Sequence, residues 1–249
     1  VKQLIDQWKS DEEASCRGWS FSYIAGRIKR QDLSWSYVEI ARRFTAKAKN
    51  ILDMGTGRGK IFSSLAPFPG RVVVTESHAP IIPEARKTLQ PLGVDVVDIS
   101  GEERGKLPFA EGKFNLVLNR HEFFKSKEIY RVMAHRGIFI TQQVGGNDTA
   151  DLAKEFNTHP RWPDWDLRTG QSKLLDAGFT IRKGKEWRGK IIFEDVGAIV
   201  YWLKCSPWIV KDFSVDVYRP FLEKLQKKIE RGEKLEYEKE RFLIIAKKP

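Results

Sequence analysis

The segment Asp53-Met54-Gly55-Thr56-Gly57-Arg58-Gly59 sets an acid ahead of three alternate glycines. Glycine turns sharply at positive φ and leaves no Cβ between the backbone and a ligand. An apolar run precedes the segment and a helical stretch follows it, so the free N–H groups of a helix start would face the loop. The spacing is G-x-G-x-G, whereas a dinucleotide turn uses G-x-G-x-x-G. Asp53, two residues before the first glycine, would repel a pyrophosphate and would suit the ammonium of an amino-acid ligand. The competing reading is a tight turn in an α/β fold with no ligand at that point.

Further polar residues close the next apolar runs: Glu76, Asp98 and Asn119. A carboxylate at such a strand end can take a ribose diol, and another can accept from an exocyclic amine. Each one singly also fits a turn or cap residue. After Asn119 comes Arg120-His121-Glu122. His121 has a usable protonation range for a general base, or it caps a helix or packs on the rim. Glu122 would orient the ring or begin the next helix. Gln142, Gln143, Gly145, Gly146 and Asn147 would grip a polar acceptor or simply end a strand. Trp165 lies among Trp162-Pro163-Asp164-Trp165-Asp166, where aromatic faces suit a flat ring or a cation, or fill a gap. Tyr201 and Trp202 sit in an aromatic stretch that either covers a cleft or docks as an apolar helix. The candidate acceptor contacts are therefore Arg120, Glu122, Gln143, Trp165, Tyr201 and Trp202.

These residues need a frame, and the pattern supplies one. Short β-branched runs at Asn50–Met54, Arg71–Thr75, Gly93–Asp98, Phe114–Asn119 and Gly137–Val144 alternate with helical stretches near Lys60–Leu65, Pro80–Gln90 and Lys125–Ala134. Alternation of this kind predicts a parallel sheet with helices on both faces. Phe179–Trp187 and Arg241–Lys248 read as two more strands, with a helix at Gln171–Gly178 before them. Residues 1–48 read as helices broken near Gly18–Ser22 and Ser34–Ser36, with Trp19, Trp35 and Tyr37 among them. Arg188–Glu240 reads as an insertion with helices at Glu194–Leu203 and from Asp216 towards Gly232.

In this order Asp53–Gly59, Glu76, Asp98 and the segment Leu107–Asn119 (LPFAEGKFNLVLN) resemble the motifs of class I S-adenosylmethionine-dependent methyltransferases. The resemblance covers about Asn50 to Val144. Asn115 stands where the family usually has Asp, at a position that serves the strand, and Arg58 is unusual in the loop. The resemblance implies a doubly wound, mostly parallel, seven-stranded Rossmann-like α/β sheet. Its last strand would be antiparallel, with N-terminal helices and a helical insertion before that strand. The implied domains are a helical cap at 1–48, the cofactor domain at 49–187 and 241–249, and an acceptor-side cap at 188–240. S-adenosylmethionine is the implied cofactor and S-adenosylhomocysteine the product. Asp53, Gly55 and Gly57 would surround the methionyl part, Glu76 would take the ribose, and Asp98 with Ile99 the adenine. Thr56, Ser77 and Asn119 complete the implied cofactor set. The sulfonium methyl is already activated, so positioning the acceptor carries most of the catalysis.

Composition narrows the partners. A chain of 249 residues can bury a large core. No apolar run approaches the roughly 18–20 residues of a membrane span, so no membrane partner is expected and the cytoplasm is the default location. Cys16 and Cys205 show no ligand spacing or disulfide framework, and Cys205 reads as a small core residue. The four histidines are scattered, so no metal site is expected. A net charge of +11 favours an anionic partner or marks a solubilising surface; its densest group is Lys224, Lys227, Lys228, Arg231 and Lys234. The leading reading is methyl transfer to a small molecule, supported by the aromatic insertion. Methylation of ribosomal or transfer RNA is the alternative, supported by charge, and a non-catalytic cofactor-binding protein is a further one. Nothing in the sequence sets the oligomeric state.

Overall fold

The structure is a computed structural model and describes residues 2–16 and 20–249. Trp19, and part of the break expected near Gly18–Ser22, lie outside the described residues. The chain divides into two compact units. One comprises Ser34–Gly145, Trp165–Glu186 and Arg241–Pro249; the other comprises Val1–Leu33, Gly146–Asp164 and Trp187–Glu240. This division differs from the ranges expected from sequence, because residues 34–48 belong with the sheet and 146–164 do not.

Among the described residues eight strands form one sheet: β1 (Ile28–Arg30), β2 (Asn50–Met54), β3 (Arg71–Glu76), β4 (Asp95–Asp98), β5 (Phe114–Arg120), β6 (Met133–Val144), β7 (Thr180–Phe193) and β8 (Leu235–Lys247). Their order is β1-β7-β8-β6-β5-β2-β3-β4. The expected mostly parallel α/β fold is observed, with one strand more than the seven expected. The extra strand is β1, three residues in a segment read as helical; it pairs antiparallel with the end of β7. A run of three residues is too short to show a period of two.

In the first unit β4, β3, β2, β5 and β6 are mutually parallel, and β8 runs antiparallel to β6. The parallel strands read as continuous apolar runs because both their faces are buried; in β2 only Asn50 is exposed. Helices α2 (Tyr37–Thr45), α3 (Lys60–Ser63), α4 (Ile82–Leu89), α5 (Ser126–Val132) and α7 (Leu167–Asp176) accompany the sheet. The Ser36 hydroxyl caps α2 by accepting from the Glu39 N–H at 3.2 Å, and Arg42 and Arg43 complement the negative end of its dipole. Leu52, Val117, Phe139, Ile129, Leu174 and Ile244 form part of the core. The chain builds outward through β2, β3 and β4, then returns to lay β5 against the other side of β2. That reversal opens a crevice at the carboxyl ends of β2 and β5, where open α/β sheets hold their ligands.

Asn115 does serve the strand. Its Oδ1 accepts from the N–H groups of Lys49 and Asn50 at 3.2 and 3.0 Å. The turn before β5 is pinned by Arg131, which donates to the carbonyls of Phe109 and Leu107 at 2.7 and 3.0 Å.

The second unit contains α1 (Lys2–Glu13), α6 (Ala150–Glu155), α8 (Val196–Cys205) and α9 (Val215–Glu230). In α8 every residue except Lys204 is buried, as expected of a helix apolar on all sides. Its cap, Asp195, accepts from Ala198 N–H at 2.9 Å and pairs with Arg27, which also holds the fully buried Asp11. β7 and β8 are longer than their sequence runs suggest, so the irregular part of the insertion begins only after Phe193. On α9, Lys224 and Lys228 reach Glu155, and Arg231 pairs with Glu233.

One expectation fails here. Cys16 and Cys205 form a disulfide across 189 residues of sequence. Pairing over such a distance depends on the fold and leaves no spacing signal. Disulfides persist mainly in oxidising compartments, so the bond counts against the expected cytoplasmic location. Among the described residues no helix is long and apolar enough to cross a membrane.

Candidate active site

The glycine loop leaves β2 at its carboxyl end and is tied to β3 by the Thr56 N–H, which donates to Thr75 O at 3.0 Å. Gly55 has φ +62°. A Cβ there would also stand 2.6 Å from the Glu122 side chain, so two independent constraints require glycine. Gly57 donates its N–H to Glu76 Oε2 at 2.7 Å.

Asp53 ends β2 and is buried. Burial pushes its carboxyl up to about 7, while the Arg120 guanidinium pulls it down. The Thr56 hydroxyl approaches Asp53 but closes no hydrogen bond of its own. Tyr37, at the start of α2, faces the same charges; burial and then Asp53 push its phenol well up. The Tyr37 hydroxyl is buried and has no hydrogen-bond partner. Tyr37, Asp53, Gly55, Thr56, Phe62 and Arg120 line a cleft of about 50 Å³.

Glu76 is buried at the end of β3 and already accepts three backbone N–H groups. These are Gly57 at 2.7 Å, Ser77 at 2.9 Å and His78 at 2.8 Å. A carboxylate has about four acceptor positions. One is left, so the expected bidentate grip on a diol is not offered in this arrangement. Asp98 lies opposite Glu76 in the β3–β4 register and is exposed. Its Oδ1 accepts from Ser100 Oγ and N at 2.7 and 2.9 Å, which holds the carboxyl below its ordinary range. Ile99 donates its N–H to Glu76 O at 3.0 Å. Asp53, Gly55, Thr56, Gly57, Glu76, Ser77, Asp98 and Ile99 are thus brought to the carboxyl ends of three adjacent strands.

Asn119 is placed differently from the expectation. It pairs with Met54 in register, but its side chain is fully buried and accepts from Thr141 Oγ1 at 2.9 Å and Gln143 Nε2 at 2.6 Å. Gln143 Nε2 also reaches Glu122 O at 3.1 Å. Both amides therefore brace the β5–β6 pair and the turn after it. The Asn119 oxygen and the Gln143 amide nitrogen are thereby engaged, while Asn119 Nδ2 is buried without a partner. Glu122 itself lies over Gly55, and its carboxyl is pushed up by burial and then by Glu76. Arg120 stands exposed at the cleft mouth and senses the charges of Tyr37 and Asp53.

His121 follows β5 at φ +68°, a conformation few residues other than glycine adopt. It is exposed, so it is not a packing residue. Trp35 Nε1 donates to Gln142 Oε1 at 2.8 Å. An indole only donates, so the amide oxygen faces Trp35 and the amide nitrogen faces His121 Nε2, at 3.1 Å. That nitrogen donates, so His121 Nε2 accepts and the ring proton sits on Nδ1. Gln142 comes from the amide row read as gripping an acceptor or ending a strand, whereas Trp35 and Tyr37 are not singled out by the sequence motifs. Their one signal is the aromatic density of Ser34–Tyr37 just ahead of an amphipathic helix.

The remaining candidates lie elsewhere. Trp165 packs edge-on against Phe124 and Phe242, at 6.1 and 5.4 Å between ring centres. Tyr201 and Trp202 belong to the other unit and are core residues, 1% and 5% exposed. The Tyr201 hydroxyl lies on the carbonyls of Ser15 and Ser20 at 3.1 and 2.8 Å. Asn147, also in that unit, donates to Pro163 O at 3.0 Å. Among the described residues no cluster of His, Cys, Asp or Glu is arranged to hold a metal ion.

Residues 51–137 match the methyltransferase-domain family. No curated protein matches the sequence. Among solved structures, a candidate methyltransferase of Bacillus halodurans superposes with a TM-score of 0.62 at 18% identity, covering 86% of this chain and 100% of that one. A SAM-dependent methyltransferase of Aquifex aeolicus gives 0.50 at 14% identity, over 85% and 88%. Geranyl diphosphate methyltransferase, solved with its diphosphate and sinefungin, gives 0.50 at 13% identity, over 86% and 77%. These likenesses establish the fold. The domain match over residues 51–137 supports the resemblance to class I S-adenosylmethionine-dependent methyltransferases.

Proposed function

We propose that this chain is a class I S-adenosylmethionine-dependent methyltransferase that binds its cofactor at the carboxyl ends of β2, β3 and β4 and methylates a small-molecule acceptor. One observation carries the cofactor reading: three largely buried carboxyls, Asp53, Glu76 and Glu122, converge on the glycine loop. A pyrophosphate would be repelled there. A ligand carrying an ammonium and a sulfonium would be attracted.

The residues fit the group. Asp53 would hold its ammonium and Arg120 its carboxylate, with the unpartnered Tyr37 hydroxyl between them. The last acceptor position of Glu76 would take one ribose hydroxyl. Asp98 and Ile99 would flank the adenine, with Thr56 and Ser77 supplying loop contacts. The cleft of about 50 Å³ is small for the whole cofactor and suits its amino-acid end. The bound cofactor would supply an activated methyl group. The chain's part is to orient the acceptor, and His121 is the candidate base once Gln142 releases its Nε2.

A small acceptor is favoured over RNA because three of the five cations in the densest basic group, Lys224, Lys228 and Arg231, are engaged by Glu155 and Glu233 of their own unit. A neighbour of the same fold acts on a geranyl diphosphate. The test is incubation with methyl-labelled cofactor and separate small-molecule and RNA fractions. Label in the small-molecule fraction is expected. Label confined to RNA would overturn the acceptor class. Cofactor binding without transfer to either fraction would support the non-catalytic alternative.

A further inference from the structure

We propose that the sheet-bearing unit carries a second ligand site, for a single-chain amphiphile with one anionic head. The site is a cavity of about 560 Å³ between α2 and the sheet. Its apolar wall is built by Ile40, Phe44, Ala48, Leu116, Ile138 and Ile245. Such a volume lies in the range that takes a small organic ligand. It belongs to the opposite end of the strands from the glycine loop: Leu116 and Ile138 are register partners near the start of β5. Arg120, at the loop end, is four residues further along that strand, about 13 Å at 3.3 Å per residue.

The charge at the rim selects the ligand. Arg43, Lys47 and Lys183 line the cavity and are all exposed. Among the described residues no carboxylate forms an ion pair with any of the three, whereas Lys224 and Lys228 pair with Glu155 and Arg231 with Glu233. No acidic residue lines the cavity. An apolar wall asks for a hydrocarbon tail, and three cations without counter-charges ask for an anion at its mouth. A fatty carboxylate meets both demands. A neutral lipid meets only the first, and a free inorganic anion only the second.

This site is independent of the cofactor reading, and so is its test. Dodecanoate, dodecanol and acetate are titrated into the intact chain by calorimetry, below micellar concentration. Dodecanoate should bind one to one, dodecanol at least tenfold more weakly, and acetate not at all. The Arg43→Glu/Lys183→Glu double variant should weaken dodecanoate more than tenfold and leave dodecanol unchanged. Ala48→Trp, which fills the cavity, should abolish binding of both, with melting curves confirming that the variants fold. The proposal is overturned if dodecanoate and dodecanol bind alike, or if dodecanoate does not bind. It is also overturned if several equivalents bind and survive Ala48→Trp, or if sedimentation shows the face closed by a second copy of the chain.

Discussion

Lowering the pH from 7 to 5.5 should weaken S-adenosylmethionine binding by roughly tenfold or more through Asp53 alone. The carboxyl is buried and raised to about 7, and only its ionised form pairs with an ammonium. At pH 7 about half of the molecules carry the charge, and at pH 5.5 only a few per cent do, a difference of about 2 kcal/mol. The ligand does not titrate in this window, since its amine lies near 8 and its carboxyl below 4. Binding should take up the ligand and release about one proton at pH 5.5 and about half a proton at pH 7. Calorimetry in two buffers of different ionisation enthalpy reads both quantities. Glu122 is raised as well, so the Asp53→Asn variant isolates the contribution of Asp53. The linkage also acts on folding. A carboxyl raised above its unfolded value stabilises the fold at low pH and loses that contribution as pH rises through 7, about 4 kcal/mol in all. The ligand-free protein should therefore lose stability between pH 4 and 8, and the cofactor should restore it. Equal affinity at pH 5.5 and 7, or an undiminished slope in Asp53→Asn, would refute the reasoning.

Other outcomes follow from the same geometry. Gly55→Ala should abolish cofactor binding, and adding Glu122→Ala should relieve the clash but not the positive φ, so binding returns only in part; full recovery would mean the φ is unimportant. Gly197→Ala drives a Cβ into Asp11 and Arg27 and should cost about 3 kcal/mol by urea unfolding, as for a broken buried ion pair; a change under about 0.5 kcal/mol would contradict that packing. Gln142→Leu removes the amide that faces His121 Nε2 and should change the acid limb of the turnover–pH profile while cofactor affinity stays the same. Cys205→Ser should lower stability by about 2–4 kcal/mol, and reductant should do the same to the parent chain but not to the variant.

The parts that were legible in the sequence are those with local patterns. β2 runs over the very residues of its apolar run, and β3 and β5 differ by one residue at their ends, because buried parallel strands are unbroken apolar runs. The glycine loop and the acids after β2, β3 and β4 were legible because each follows its own strand directly. Long-range pairing was not. Nothing near Cys16 points to Cys205, and nothing in Tyr37 says that α2 begins at the cofactor cleft. Asn119 ends a strand as Asp53 and Glu76 do, but which face its side chain takes depends on Thr141 and Gln143 in the neighbouring strand. Tyr201 and Trp202 misled for a simpler reason. An aromatic stretch suggests a binding surface, but here it lies on a helix buried on all sides.

A cationic cofactor held at an acidic glycine loop is the core of the proposed function. Calorimetric titration of the purified chain at pH 7.5 with S-adenosylmethionine and, separately, with NAD tests it most directly. One equivalent of S-adenosylmethionine should bind, no binding of NAD should be seen, and Asp53→Asn should weaken the former at least tenfold. Binding of NAD in preference, or binding of neither ligand, would contradict the central claim.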